Sequence, residues 1–197
     1  MNLPNRLTLL RIFFVPVIVF FILFPFAQYG IVFGHISIDF VTLPIVNLIA
    51  LGLFALASIT DFFDGYLARK YHQISTFGKF MDPIADKLLV NTLFILFSFQ
   101  GLVPVIAVIV MIWRDVFVDG LRMLAAEKGR VVAAGYMGKL KTVVQMLTIM
   151  LILLSNLPFE LYNLPVSSFM IWFSVMISII SGVNYFRQLS SLVMESK

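Results

Sequence analysis

The chain of 197 residues is 61% hydrophobic and 12% charged, with 21 Phe, 10 Met and no cysteine. A mean hydropathy of +1.03 excludes a soluble globular domain and points to a polytopic membrane protein. The missing cysteine excludes a disulfide framework and a thiolate metal site. In such a chain the net charge of +4 records topology before it records an acidic partner, and no nucleic-acid partner is expected.

The opening MNLPNRLTLLR predicts a short interfacial helix, in which Asn5, Thr8 and Arg11, spaced by three, share one face. No small-x-small cleavage site follows the run from Ile12 to Ala27, so it reads as a retained span and not a signal peptide. Spans of roughly 20 residues, enough to cross ~30 Å of hydrocarbon, fall near 8–27, 43–67, 79–99, 102–124, 138–156 and 166–187. Between them lie Gly30 and Gly34, Gly101 with Pro104, Gly129 and Gly135, and Asn156 with Pro158 and Pro165, all of them loop chemistry. The predicted fold class is an all-α polytopic membrane protein, a single domain over 1–197 with six transmembrane helices.

The 14 Lys and Arg sort to one side, comprising both termini, the connection between spans 2 and 3, and that between spans 4 and 5. The loops at 28–42, 100–104 and 156–165 contain none. By the positive-inside rule both termini are cytoplasmic.

Residues 61–86 read DFFDGYLARKYHQISTFGKFMDPIAD and place four aspartates beside apolar spans. If spans 2 and 3 form a hairpin bent near Gln73, Asp64 and Asp82 lie about nine residues either side of the bend, and Asp61 and Asp86 twelve or thirteen. Each pair then falls level, and the spacings of three and four turn the members of each helix the same way. Four acids in one pocket repel one another, and acids in a membrane face a cavity or a partner. Arg69 and Lys87 neutralise only part of that charge. An oxygen-rich site without His or Cys suits hard cations such as Mg²⁺, Mn²⁺ or Ca²⁺, and paired ions suit displacement at phosphorus. Gly65 and Gly78 leave room for a phosphate or nucleotide to approach the backbone. Ion pairing at a wet interface accounts for one acid near a span end, but not for four on this spacing. A proton or ion relay is the other functional reading of intramembrane acids.

The pattern Asp61-x2-Asp64-Gly65-x2-Ala68-Arg69-x8-Gly78-x3-Asp82-x3-Asp86 resembles the signature of the CDP-alcohol phosphotransferases at every fixed position. The resemblance implies a six-span fold with its active site facing the cytoplasm of a bacterial-type cell membrane. It also implies that Asp61, Asp64 and Asp82 bind two divalent cations, Mg²⁺ or Mn²⁺, with Asp86 joining the metal site and acting as general base. Asp61, Gly65, Ala68, Arg69 and Gly78 would line the CDP-diacylglycerol.

A second substrate needs its own groups. The cytoplasmic halves of spans 4 and 5 carry Arg114, Asp115, Asp119, Arg122, Lys139 and Lys141. Arg114 and Arg122, eight apart, point in similar directions. Such cations suit an anionic phosphate, or else they snorkel and record topology only. Trp113-Arg114-Asp115, the GKLKT segment and NLPNRLTLLR resemble the branch of the family that joins CDP-diacylglycerol to sn-glycerol 3-phosphate and releases CMP. That resemblance implies Asn5 and Thr8 in the CDP-diacylglycerol site, and Arg11, Arg114, Arg122, Lys139 and Lys141 around the acceptor phosphate. It further implies a homodimer among membrane lipids. A sibling enzyme with inositol phosphate, serine or phosphatidylglycerol as acceptor is the near alternative. A cation- or proton-coupled transporter is the distant one, because it calls for midplane acids and repeat symmetry, whereas these acids cluster toward one face and occur once.

Overall fold

A computed structural model describes the backbone of residues 3–70, 76–129 and 135–194 and the side chains of 5–60, 81–129 and 135–190. Six α-helices dominate the described residues: α1 (Leu3–Leu23), α2 (Ile45–Lys70), α3 (Thr76–Phe99), α4 (Val105–Glu127), α5 (Tyr136–Leu153) and α6 (Val166–Met194). Each coincides with an expected span to within several residues. The bend expected near Gln73 lies outside the described residues, between the end of α2 and the start of α3.

Two local expectations need correction. The N-terminal segment is not a separate interfacial helix, because Asn5, Thr8 and Arg11 occupy the first turns of α1, which continues unbroken past Pro16. Nothing in NRLTLLRIFF interrupts the helix, and a proline is tolerated in an apolar helix whose neighbours cover the freed carbonyl. The loop after α1 also departs from a purely helical fold. It holds one turn of 3₁₀ helix (Phe26–Tyr29) and an antiparallel hairpin, β1 (His35–Ile38) with β2 (Val41–Pro44). Asp39 takes the left-handed turn position at φ 55°, which a short polar side chain tolerates. Val41 and Leu43 alternate inwards against Leu157, so a period of two, too short to stand out in the sequence, sets the strand.

The helices run in alternating directions. Thr8 meets Asp82 and Arg11 meets Asp86, so α1 and α3 run the same way. Met111 meets Gln145 and Asp115 meets Lys141, so α4 and α5 are opposed. Gly135 meets Tyr185 and Thr148 meets Ser174, so α5 and α6 are opposed too. The turn after α3 closes with Gly101 at φ +76°, where Leu102 N–H donates to the Phe97 carbonyl and Gly101 N–H to that of Ser98. This is the left-handed C-terminal cap that glycine permits.

Leu89, Leu93, Phe94 and Phe97 of α3 form the centre of the core with Phe54, Met111, Ile149 and Leu153. Ala50 and Ala57 of α2, fully buried, let that helix approach closely. The outer surface is apolar as well, with Phe13, Val116, Phe117, Phe169 and Trp172 exposed. Apolar residues inside and outside together mark a membrane protein, in which packing and buried polar contacts hold the helices together in place of water-driven burial. Asn5–Leu23, Tyr136–Leu153 and Val166–Ser190 are long and apolar enough to cross a bilayer among the described residues. α3 and α4 are less apolar because they carry Asp82, Asp86 and Lys87, and Arg114, Asp115, Asp119 and Arg122. The helices with the most charge are the ones that build the site.

Candidate active site

The acidic half begins with two matched ladders. On α1, Thr8 and Arg11 are three residues apart; on α3, Asp82 and Asp86 are four apart, so each pair lies on one helical face. Thr8 Oγ1 donates to Asp82 Oδ1 at 2.7 Å, and Arg11 Nη1 donates to Asp86 Oδ1 at 2.6 Å. Thr8 and Arg11 are wholly buried, while Asp86 stays about one-third exposed. The carboxylates are thus gripped by α1. Asn5, one turn before Thr8, is half-buried on the same helix.

In front of Asp82 and Asp86 lies a cavity of about 300 Å³, at the small end of ligand pockets. Arg114, Asp115, Asp119 and Arg122 of α4 and Lys141 of α5 complete its charged wall. Asp115 is buried between two cations: Arg114 Nη1 donates to its Oδ1 at 2.9 Å, and Lys141 Nζ donates to the same oxygen. Lys87, next to Asp86 in the chain, pairs with Asp119 across the cavity. Acid and base therefore lie within one small space, with Asp82 and Asp86 on α3, Asp115 and Asp119 on α4, and most of the cations on α4 and α5.

Two expected phosphate-binding cations are placed elsewhere. Arg11 lies behind Asp86 and outside the cavity wall. Lys139 is exposed to the outside and does not line the cavity. Residues two apart on a helix point to nearly opposite sides, so with Lys141 turned inwards Lys139 cannot follow. Arg114, Arg122 and Lys141 are brought together. Asp61, Asp64, Gly65, Ala68 and Arg69 fall on α2 and Gly78 on α3, where the side chains lie outside the described residues.

The donor chemistry fits hard cations. Asp82 and Asp86 each engage α1 through Oδ1 and line the cavity, and among the described residues no His or Cys lines it with them to favour a softer metal. Among the described residues no group of three or more acids, His or Cys is gathered, as expected when two of the four aspartates fall outside them.

The sequence reading missed the contribution of α6. Arg114 Nη2 donates to Ser181 Oγ, and its guanidinium lies 5.7 Å from the centroid of the Tyr185 ring, within cation–π range. Gly182 makes room for Arg114, since a Cβ there would come within 3.1 Å of Arg114 Cγ. Ser181, Gly182 and Tyr185 sit in SGVNYFR at the end of an apolar run. Only their four-residue spacing hints at a shared face, and that hint has no charge to mark it.

Residues 1–180 match the CDP-alcohol phosphatidyltransferase family, and the chain belongs to that family. Within it, the chain is 42% identical to the CDP-diacylglycerol–glycerol-3-phosphate 3-phosphatidyltransferase of Bacillus subtilis (strain 168), covering 95% of this chain and 94% of that one. It is 35% identical to the protein of the same name from Rickettsia bellii (strain RML369-C), covering 94% of each. With its counterpart from Rickettsia typhi (strain ATCC VR-144 / Wilmington) the identity is 36%, over 94% of this chain and 96% of the relative.

Proposed function

We propose that this membrane protein transfers the phosphatidyl group of CDP-diacylglycerol to sn-glycerol 3-phosphate, giving phosphatidylglycerol phosphate and CMP. The observation that carries this reading is the division of the cavity. Asp82 and Asp86 line it from α3, and Arg114, Arg122 and Lys141 line it from α4 and α5, with Asp115 and Asp119 of α4 among those cations. The cations suit the phosphate of a small anionic acceptor. The acids suit the reacting end. The names of the relatives above agree with both substrates.

Asp86 is the general base. It takes the proton of the acceptor's free primary hydroxyl as that oxygen forms a bond to the phosphatidyl phosphorus, and the bond from that phosphorus to the CMP oxygen breaks. Arg11, buried behind Asp86, fixes the carboxylate for that transfer, and Thr8 does the same for Asp82. Asp61, Asp64, Asp82 and Asp86 would hold two divalent cations, Mg²⁺ or Mn²⁺, which supply charge stabilisation on the pyrophosphate and the leaving CMP. Asn5, with Gly65, Ala68, Arg69 and Gly78, belongs to the CDP-diacylglycerol site. The alternating helix directions and the one-sided Lys and Arg support six crossings, with the site facing the cytoplasm. Family resemblance adds a homodimer.

Purified protein in detergent, supplied with CDP-diacylglycerol and Mg²⁺ or Mn²⁺, tests the acceptor. CMP release is expected with sn-glycerol 3-phosphate, and at least tenfold less with glycerol, serine, inositol phosphate or phosphatidylglycerol. Release driven by serine and not by sn-glycerol 3-phosphate overturns the reading.

A further inference from the structure

Tyr185 of α6 is 5% exposed and lines the same cavity as Arg114 and Lys141. Its hydroxyl oxygen accepts a hydrogen bond from the Gly135 backbone N–H at 2.8 Å, at the position that caps the start of α5. That bond uses a lone pair and leaves the hydroxyl hydrogen, for which no acceptor stands among the described residues. Facing a cavity that admits water, that hydrogen is satisfied by water until a ligand oxygen takes its place.

The surroundings are cut to keep this phenol in place. Gly138, also part of the cavity wall, would bring a Cβ within 3.3 Å of the Tyr185 hydroxyl. The Arg114 guanidinium lies over the ring of the same tyrosine. The hydroxyl is thus fixed in orientation by α5 and held beside the cations of α4 and α5.

We infer that Tyr185 is a further acceptor-binding residue, whose hydroxyl donates its hydrogen to an oxygen of the acceptor phosphate. The inference rests on the reading of Arg114, Arg122 and Lys141 as the phosphate site, and it adds a neutral donor to those cations. A neutral donor favours an anion without adding another charge that Asp115 and Asp119 would have to balance.

The test is equilibrium binding to the full-length protein in detergent, with sn-glycerol 3-phosphate and inorganic phosphate as separate probes and CMP as the reference ligand. Tyr185→Phe keeps the ring under Arg114 and removes only the hydroxyl. We expect Kd for both phosphate probes to rise roughly tenfold, the scale of one hydrogen bond to a charged group, with CMP affinity held within twofold. Unchanged phosphate affinity in Tyr185→Phe, or an equal loss for CMP, overturns the inference and leaves the hydroxyl as an acceptor for Gly135 alone. Failure of the unaltered protein to bind either phosphate probe sinks the acceptor reading itself, a result distinct from the first. Should Tyr185→Phe not fold, Gly138→Ala, which crowds the hydroxyl, is expected to weaken both probes severalfold, and full affinity in that variant counts against the inference.

Discussion

Asp86→Asn is expected to lose about three orders of magnitude in turnover while still binding nucleotide. A positioned general base contributes roughly 10²–10⁴, and asparagine keeps the shape of the side chain while giving up its proton affinity. Arg11 Nη1 can still donate to the amide oxygen, so the α1–α3 contact survives in weaker form and the fold has no reason to collapse. Single-turnover CMP release and a CMP titration on one preparation separate the two effects. Turnover within tenfold of the unaltered protein would remove Asp86 as the base. Loss of turnover together with all nucleotide binding would leave Asp86 a part in holding the cations or the fold and remove the evidence for a base.

Asp115→Asn is expected to act on stability. Asp115 is buried and balances Arg114 and Lys141 together. Taking away its charge leaves two cations facing each other at the cavity edge. Breaking such a group by removing one partner costs about 3–5 kcal/mol, and the lower end applies here because the cavity admits water. The thermal midpoint in detergent should fall by several degrees. An anion that binds the same cations should restore part of the loss, since a ligand of the native state stabilises in proportion to its binding. sn-Glycerol 3-phosphate should therefore raise the midpoint of the variant more than that of the unaltered protein. Equal shifts in both would show that the phosphate does not meet Arg114 and Lys141.

The part of the site within the described residues was largely legible in the sequence, because it rests on helical periodicity. Asn5, Thr8 and Arg11 were expected on one face, and Thr8 and Arg11 of that face meet Asp82 and Asp86. Arg114 and Arg122 were expected to point alike, and both line the cavity. What periodicity cannot supply is the rotation of a helix about its own axis. GKLKT offers two lysines, and only the packing of α5 against α6, with the Lys141–Asp115 contact to α4, decides that Lys141 turns inwards and Lys139 outwards. Nor can it tell which cations line the cavity, as Arg114, Arg122 and Lys141 do, and which lie outside it, as Arg11 does behind Asp86. The α6 contribution was out of reach for a different reason. Tyr185 acts through one hydroxyl and a ring face beside two glycines, and an aromatic residue at the end of an apolar span carries no mark of that. The β1–β2 hairpin was missed because four-residue strands in a span-dominated chain leave too short an alternation.

The central claim is that one cavity brings the acceptor phosphate to Arg114, Arg122 and Lys141 while its hydroxyl faces Asp86. An experimental structure of the Asp86→Asn variant with CDP-diacylglycerol, Mg²⁺ and sn-glycerol 3-phosphate measures this directly. The expected result is the acceptor phosphate within hydrogen-bonding distance of those three cations and a free hydroxyl turned toward residue 86. A phosphate bound outside the cavity, or an acceptor hydroxyl turned away from residue 86, would contradict it.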